Sequence, residues 1–184
     1  MFEPWVGPDW GNKANSIGGV RLMLLGESHY ANDQKFVGRC EPDFTHWAIV
    51  HLAPERQRFF TNLAQVVSNK SHWELDKPAF WNSVLFYNFV PVFLSGARVS
   101  PTPEQFASGA EPLSKVCSEH KPDVILACGK RLWGHLYSSL DSDKTHYQGI
   151  PISYITHPSA RFSWRNERPA VDALLARVTT PRQV

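Results

Sequence analysis

Four short runs dominated by apolar residues divide the chain: residues 20–25 (VRLMLL), 84–90 (VLFYNFV), 123–128 (DVILAC) and 150–155 (IPISYI). The first ends at Gly26 and suits a buried parallel strand better than a half-exposed one, because it does not alternate. The second is stopped by Pro91, and all four read as strands. Helical patterns lie between them. Pro54 and Glu55 can open a helix carrying Phe59, Leu63, Val66 and Val67. Thr102-Pro103-Glu104-Gln105 supplies an N-cap, a proline at the first helical position and a glutamine at the third. Phe106, Ala110, Leu113 and Val116 continue that face, and Pro112 must kink or split it. Further helices are expected over 129–140 and 166–178, the last bearing Val171, Leu174, Leu175 and Val178. Residues 27–46 read as a polar segment, and 1–19 as an irregular lead-in packed by Trp5 and Trp10.

Strands separated by helices imply right-handed crossovers and a sheet covered on both faces. The expected fold is α/β: a single three-layer α/β/α domain over 1–184 with a central four-stranded, mainly parallel sheet. In such sheets ligands bind beyond the carboxyl ends of the strands. The segments after the first, second and fourth strands are therefore where chemistry is sought.

Composition narrows the class. The chain has 184 residues, 42% hydrophobic and 12% aromatic with 7 Trp, far too rich for a disordered coil. Its net charge of +2 permits a local nucleic-acid patch but not a polybasic protein. The apolar stretch around 83–94 is too short and too polar for a membrane span. No basic segment followed by an apolar one opens the chain, so a cytoplasmic protein is expected. Cys40, Cys117 and Cys128 are odd in number and widely spaced, which disfavours disulfides, zinc fingers and iron–sulfur sites. His46 and His51 lack metal-ligand spacing, so no metal and no cofactor are expected.

After the first strand comes Gly26-Glu27-Ser28-His29-Tyr30, then Phe36-Val37-Gly38-Arg39; the second strand delivers Asn88, and the fourth His157-Pro158-Ser159-Ala160-Arg161. A carboxylate, an amide, an imidazole and an aromatic thus gather at strand ends. That set suits a flat heterocycle: the ring stacks, the amide pairs with its edge, and the imidazole meets a carbonyl oxygen that gains charge. Ser28 could be a nucleophile, but the second glycine of a nucleophile elbow is missing. Arg161, Arg165 and Arg168 interleave with Phe162 and Trp164 as a nucleic-acid-like patch; a solvated helix start with an arginine–Glu167 pair is the plainer alternative. Lys130 and Arg131, near a helix start, could join a phosphate site.

These motifs, in this order over roughly residues 20–164, resemble the uracil-DNA glycosylase superfamily, closest to the branch whose first motif reads GEAPG. Phe36-Val37-Gly38-Arg39 matches its FVGR, residues 121–129 (KPDVILACG) resemble its third strand, and His157-Pro158-Ser159 matches its last motif. The resemblance implies that Phe36 stacks on a flipped base and Asn88 reads its Watson–Crick edge. It implies that His157 stabilises the departing base, Glu27 positions water, and Arg161 enters the duplex. Gly26 and Ser28 would line the base pocket, with Ser159 and Lys130 against the nucleic acid. The chain departs from the branch at Ser28, His29 and Tyr30, and it lacks the branch's four cluster cysteines, so no cluster is expected.

The expected function is that of a monomeric glycosylase which hydrolyses the N-glycosidic bond of a deaminated or modified base in DNA. The rival is a base- or nucleic-acid-binding module that keeps the pocket but no longer cuts. A glycosidase for another modified base or a free nucleoside would differ only in pocket shape.

Overall fold

The computed structural model describes residues 1–179. Six strands form one mixed sheet: β1 (Trp5–Val6), β2 (Leu22–Gly26), β3 (Leu85–Asn88), β4 (Val124–Cys128), β5 (His146–Tyr147) and β6 (Ile150–Ile155), in the order β1-β3-β2-β4-β6-β5. The four expected strands are its centre, and all their pairings are parallel. The expectation of four strands is corrected at both edges. Trp5–Val6 pairs antiparallel with β3, so the lead-in is not wholly irregular, and His146–Tyr147 pairs antiparallel with β6. Trp5 and Trp10 do pack against the two cores, one on each side of the sheet.

Seven α-helices accompany the strands among the described residues: α1 (Phe44–His51), α2 (Arg58–Ser68), α3 (Lys77–Asn82), α4 (Pro103–Ala107), α5 (Ala110–His120), α6 (Lys130–Leu136) and α7 (Trp164–Thr179). Alternate residues of the strands feed opposite layers, as a pleated backbone requires. Leu22, Leu24, Phe86, Val124 and Leu126 join α1, α2, α3 and α7; Met23, Leu25, Tyr87, Ile125 and Ala127 join α5 and α6. Residues of β2 and β4 are fully buried because both faces are covered.

Local chemistry sets the helix limits. The Thr102 hydroxyl accepts from Gln105 N at 3.3 Å while Gln105 Oε1 accepts from Thr102 N at 2.9 Å, closing the expected capping box. Pro112 splits rather than kinks the segment: α4 ends at Ala107, and Pro112 falls in the first turn of α5, where its missing N–H costs little. The helix expected at Pro54 begins later, at Arg58. The Pro54 and Glu55 carbonyls instead accept from the buried Lys77 ammonium, which holds them out of a helical ladder. Two helices were not expected. α1 starts inside the supposedly polar 27–46 segment, and α3 is capped by Asp76, whose carboxylate accepts from Ala79 N at 3.0 Å. No described helix is long and apolar enough to cross a membrane.

Candidate functional site

In chain order the four central strands lie second, first, third, fourth, so the sheet's direction of growth reverses between β2 and β4. Beyond the carboxyl ends at such a reversal a crevice opens between the two connecting segments. Glu27 leaves β2 on one side of it; Gly129, Lys130 and Arg131 leave β4 on the other.

Glu27 is 5% exposed, and a buried carboxylate requires a partner. Arg131 supplies it across the crevice: Nε donates to Oε2 at 2.8 Å and Nη2 donates to Oε1. The planar fork meets both oxygens, which fixes the carboxylate plane as a lysine could not. The Arg131 side chain keeps 46% of its surface in solvent and also donates through Nη1 to Ser100 Oγ.

Asn88 ends β3 directly opposite Gly26 in the parallel register. Its Oδ1 lies 2.0 Å from the place a Cβ on residue 26 would take, so only glycine leaves room for the carboxamide at this edge. The ladder continues past it, with Phe89 N donating to Gly26 O at 3.0 Å and Val90 N to Glu27 O at 2.9 Å. Asn88 is 4% exposed, and its carboxamide hydrogen-bonds to no protein group among the described residues.

His157 follows β6 on a loop held from two sides. Asn62 Nδ2 donates to Pro158 O at 2.7 Å, and Thr156 N donates to a Glu167 carboxylate oxygen at 3.1 Å. The half-buried ring lies against Phe59, with centroids 5.3 Å apart. Gly129, beside His157 at the end of β4, adopts a φ of 124°, a conformation that favours glycine. Ser159 N donates to His157 Nδ1 at 3.2 Å, so the neutral ring carries its proton on Nε2. Burial lowers the His157 pKa, Arg131 pushes the same way, and Glu27 opposes both. The ring is therefore a neutral Nε2–H donor at neutral pH.

Gly26, Glu27, Asn88 and His157 thus share one edge, joined by Arg131. Ser28 Oγ is buried without a hydrogen-bond partner among the described residues; burial raises the Tyr30 pKa and Glu27 adds to it, against lowering by Ser28 and Arg131. Ser159 is exposed and enters through its backbone N–H; Arg161 and Lys130 are exposed and make no ion pair among the described residues. Phe36 stands elsewhere. It lines a groove with Tyr30, Phe44 and Trp47 that includes none of Glu27, Asn88 and His157, and the Lys35 ammonium lies 4.8 Å from its ring centre. The aromatic against His157 is Phe59, read from the sequence only as a core residue.

The arginine patch is smaller than the sequence suggests. Arg168 Nη1 donates to Val66 O and Val67 O, capping the end of α2, and its other amine pairs with Asp172. Arg165 lies over Trp164, while Phe162 and Trp164 pack on the core. Glu167 serves Thr156 rather than an arginine. His29, which the sequence left open, is a core residue: its Nε2 lies 3.1 Å from Thr45 Oγ1, between the Phe2 and Phe44 rings. Among the described residues no group of His, Cys, Asp and Glu is placed to hold a metal ion. No family model matches the chain, and no curated protein matches it.

Proposed function

We propose that this edge recognises a flat heterocyclic base and hydrolyses the N-glycosidic bond joining it to deoxyribose in DNA. The observation that carries the reading is the Asn88 carboxamide: buried, built against Gly26, and without a protein partner. A carboxamide held so, with its polar atoms still open at the strand end, can pair with a ligand edge that offers a donor and an acceptor.

The remaining groups then take distinct parts. A base in a duplex must leave the stack to reach this edge, which costs a few kcal/mol. The His157 Nε2–H donates to a base carbonyl, and that hydrogen bond strengthens as the C–N electron pair moves onto the departing base. Glu27, held in one plane by Arg131, orients a water whose oxygen bonds to the sugar carbon. The water's proton passes to the carboxylate and on to the released base. Exposed Arg161 and Lys130 meet backbone phosphates.

A second reading has its own observation. Both Glu27 oxygens are engaged by Arg131, which favours a module that recognises a base without cutting. Excess protein incubated with a single-uracil oligonucleotide separates the two. Abasic product lost in Asn88→Ala and His157→Ala proteins supports hydrolysis; binding without product at any protein excess supports recognition alone.

A further inference from the structure

A groove of about 570 Å³ lies between residues 30–43 and α1, away from Asn88 and His157. Tyr30, Phe36, Phe44, Trp47 and Phe93 line it, and the Phe44 and Trp47 rings stack with centroids 5.3 Å apart. Its remaining wall carries the exposed carboxylates Glu41 and Asp43, neither in an ion pair among the described residues.

We propose that this groove docks a partner protein through an arginine or lysine side chain flanked by apolar residues. Aromatic faces are electronegative and attract cations, and carboxylates at the rim reinforce that preference. One cation of the chain already uses these rings: the Lys35 ammonium lies 4.8 Å from the Phe36 ring centre. The apolar part of the partner is argued from α1. Its apolar side chains are spread around the helix among Thr45, His46 and His51 rather than gathered on one face, so packing one side on the core leaves others outside. Trp47 is 43% and Val50 53% exposed, one turn apart on the outer face. Nucleic acid would also stack on such rings, but Glu41 and Asp43 would repel its phosphates.

The test uses the full chain and a fluorescent peptide of alternating leucine and arginine, with a citrulline version of the same peptide as control. Anisotropy reads binding, and alkylation of Cys40 reads its location, since Cys117 and Cys128 are buried. The arginine peptide is expected to bind and to slow Cys40 alkylation. Citrulline, Trp47→Ala and Glu41→Gln/Asp43→Asn should each weaken it about tenfold or more, with circular dichroism unchanged. Equal binding of the citrulline peptide, or no loss in the carboxamide variant, would overturn the proposal. So would protection of Cys40 by oligothymidine instead of the peptide, or a concentration-dependent dimer abolished by Trp47→Ala.

Discussion

Asn88 Oδ1 occupies the space that a side chain on Gly26 would need, 2.0 Å from the ideal Cβ position. The contact joins neighbouring strand ends and makes the glycine a requirement of the amide rather than of the backbone. Gly26→Ala should therefore displace the carboxamide, costing about 1–3 kcal/mol of stability by overpacking. Base release should fall on the order of a hundredfold. Urea melts and single-turnover assays check both; an unaltered enzyme would mean that Asn88 does not work from its observed place.

Arg131 and Glu27 should behave as one unit. Arg131→Gln leaves a buried carboxylate without its main partner and should destabilise by about 1–3 kcal/mol, less than for a fully buried pair because the guanidinium is half in solvent. Adding Glu27→Gln should recover part of that loss. A double-mutant cycle in urea gives the coupling, and simple additivity would show that the pair contributes nothing to stability.

His29 should make the fold acid-sensitive. Burial among aromatic rings pushes its pKa down from 6.5 to about 3. Between those values the unfolded chain binds a proton that the folded chain refuses. Stability is therefore full above about pH 6.5 and falls as the pH drops toward 3, by up to about 1.4 kcal/mol per unit. Urea midpoints between pH 7 and pH 4 should drop less steeply in His29→Gln than in wild type, and equal slopes would assign the acid loss to other groups.

Ser159 tests the tautomer of His157. Ser159→Ala keeps the backbone N–H on Nδ1 and should leave base release unchanged, whereas Ser159→Pro removes it and should cost about tenfold or more. Nitrogen NMR of the ring should show Nε2 protonated in wild type. Equal activity in the two variants would remove the backbone donor from the account.

The central strands were legible because each is a compact apolar run bounded by a turn or helix signal, Gly26, Pro91, Gly129 or His157-Pro158, and such runs have few alternatives. β1 and β5 have two residues each, too short for any pattern to mark them. α1 was missed because its apolar residues alternate irregularly with Thr45, His46 and His51 and show no contrast at helical spacing. α3 could have been found from Asp76 followed by Pro78. The topology brings Gly26, Glu27, Asn88 and His157 to the edge where strand ends were expected to deliver them. Arg131 as the partner of Glu27 was not legible, since 104 residues separate them and only the strand order makes them neighbours. The same limit hid Arg168, whose partners lie on α2, and Phe36, whose loop is held by backbone hydrogen bonds of Gly38 and Arg39 with Phe93.

Glycosidic-bond cleavage in DNA at the Asn88–His157 edge is the proposed activity. A single-turnover incubation of excess protein with single- and double-stranded oligonucleotides carrying one uracil, hypoxanthine or xanthine, followed by alkali, reads it. Strand cleavage is expected on at least one substrate with wild type and on none with Asn88→Ala or His157→Ala, both folded. Cleavage retained in either variant, or no product on any substrate, would contradict it.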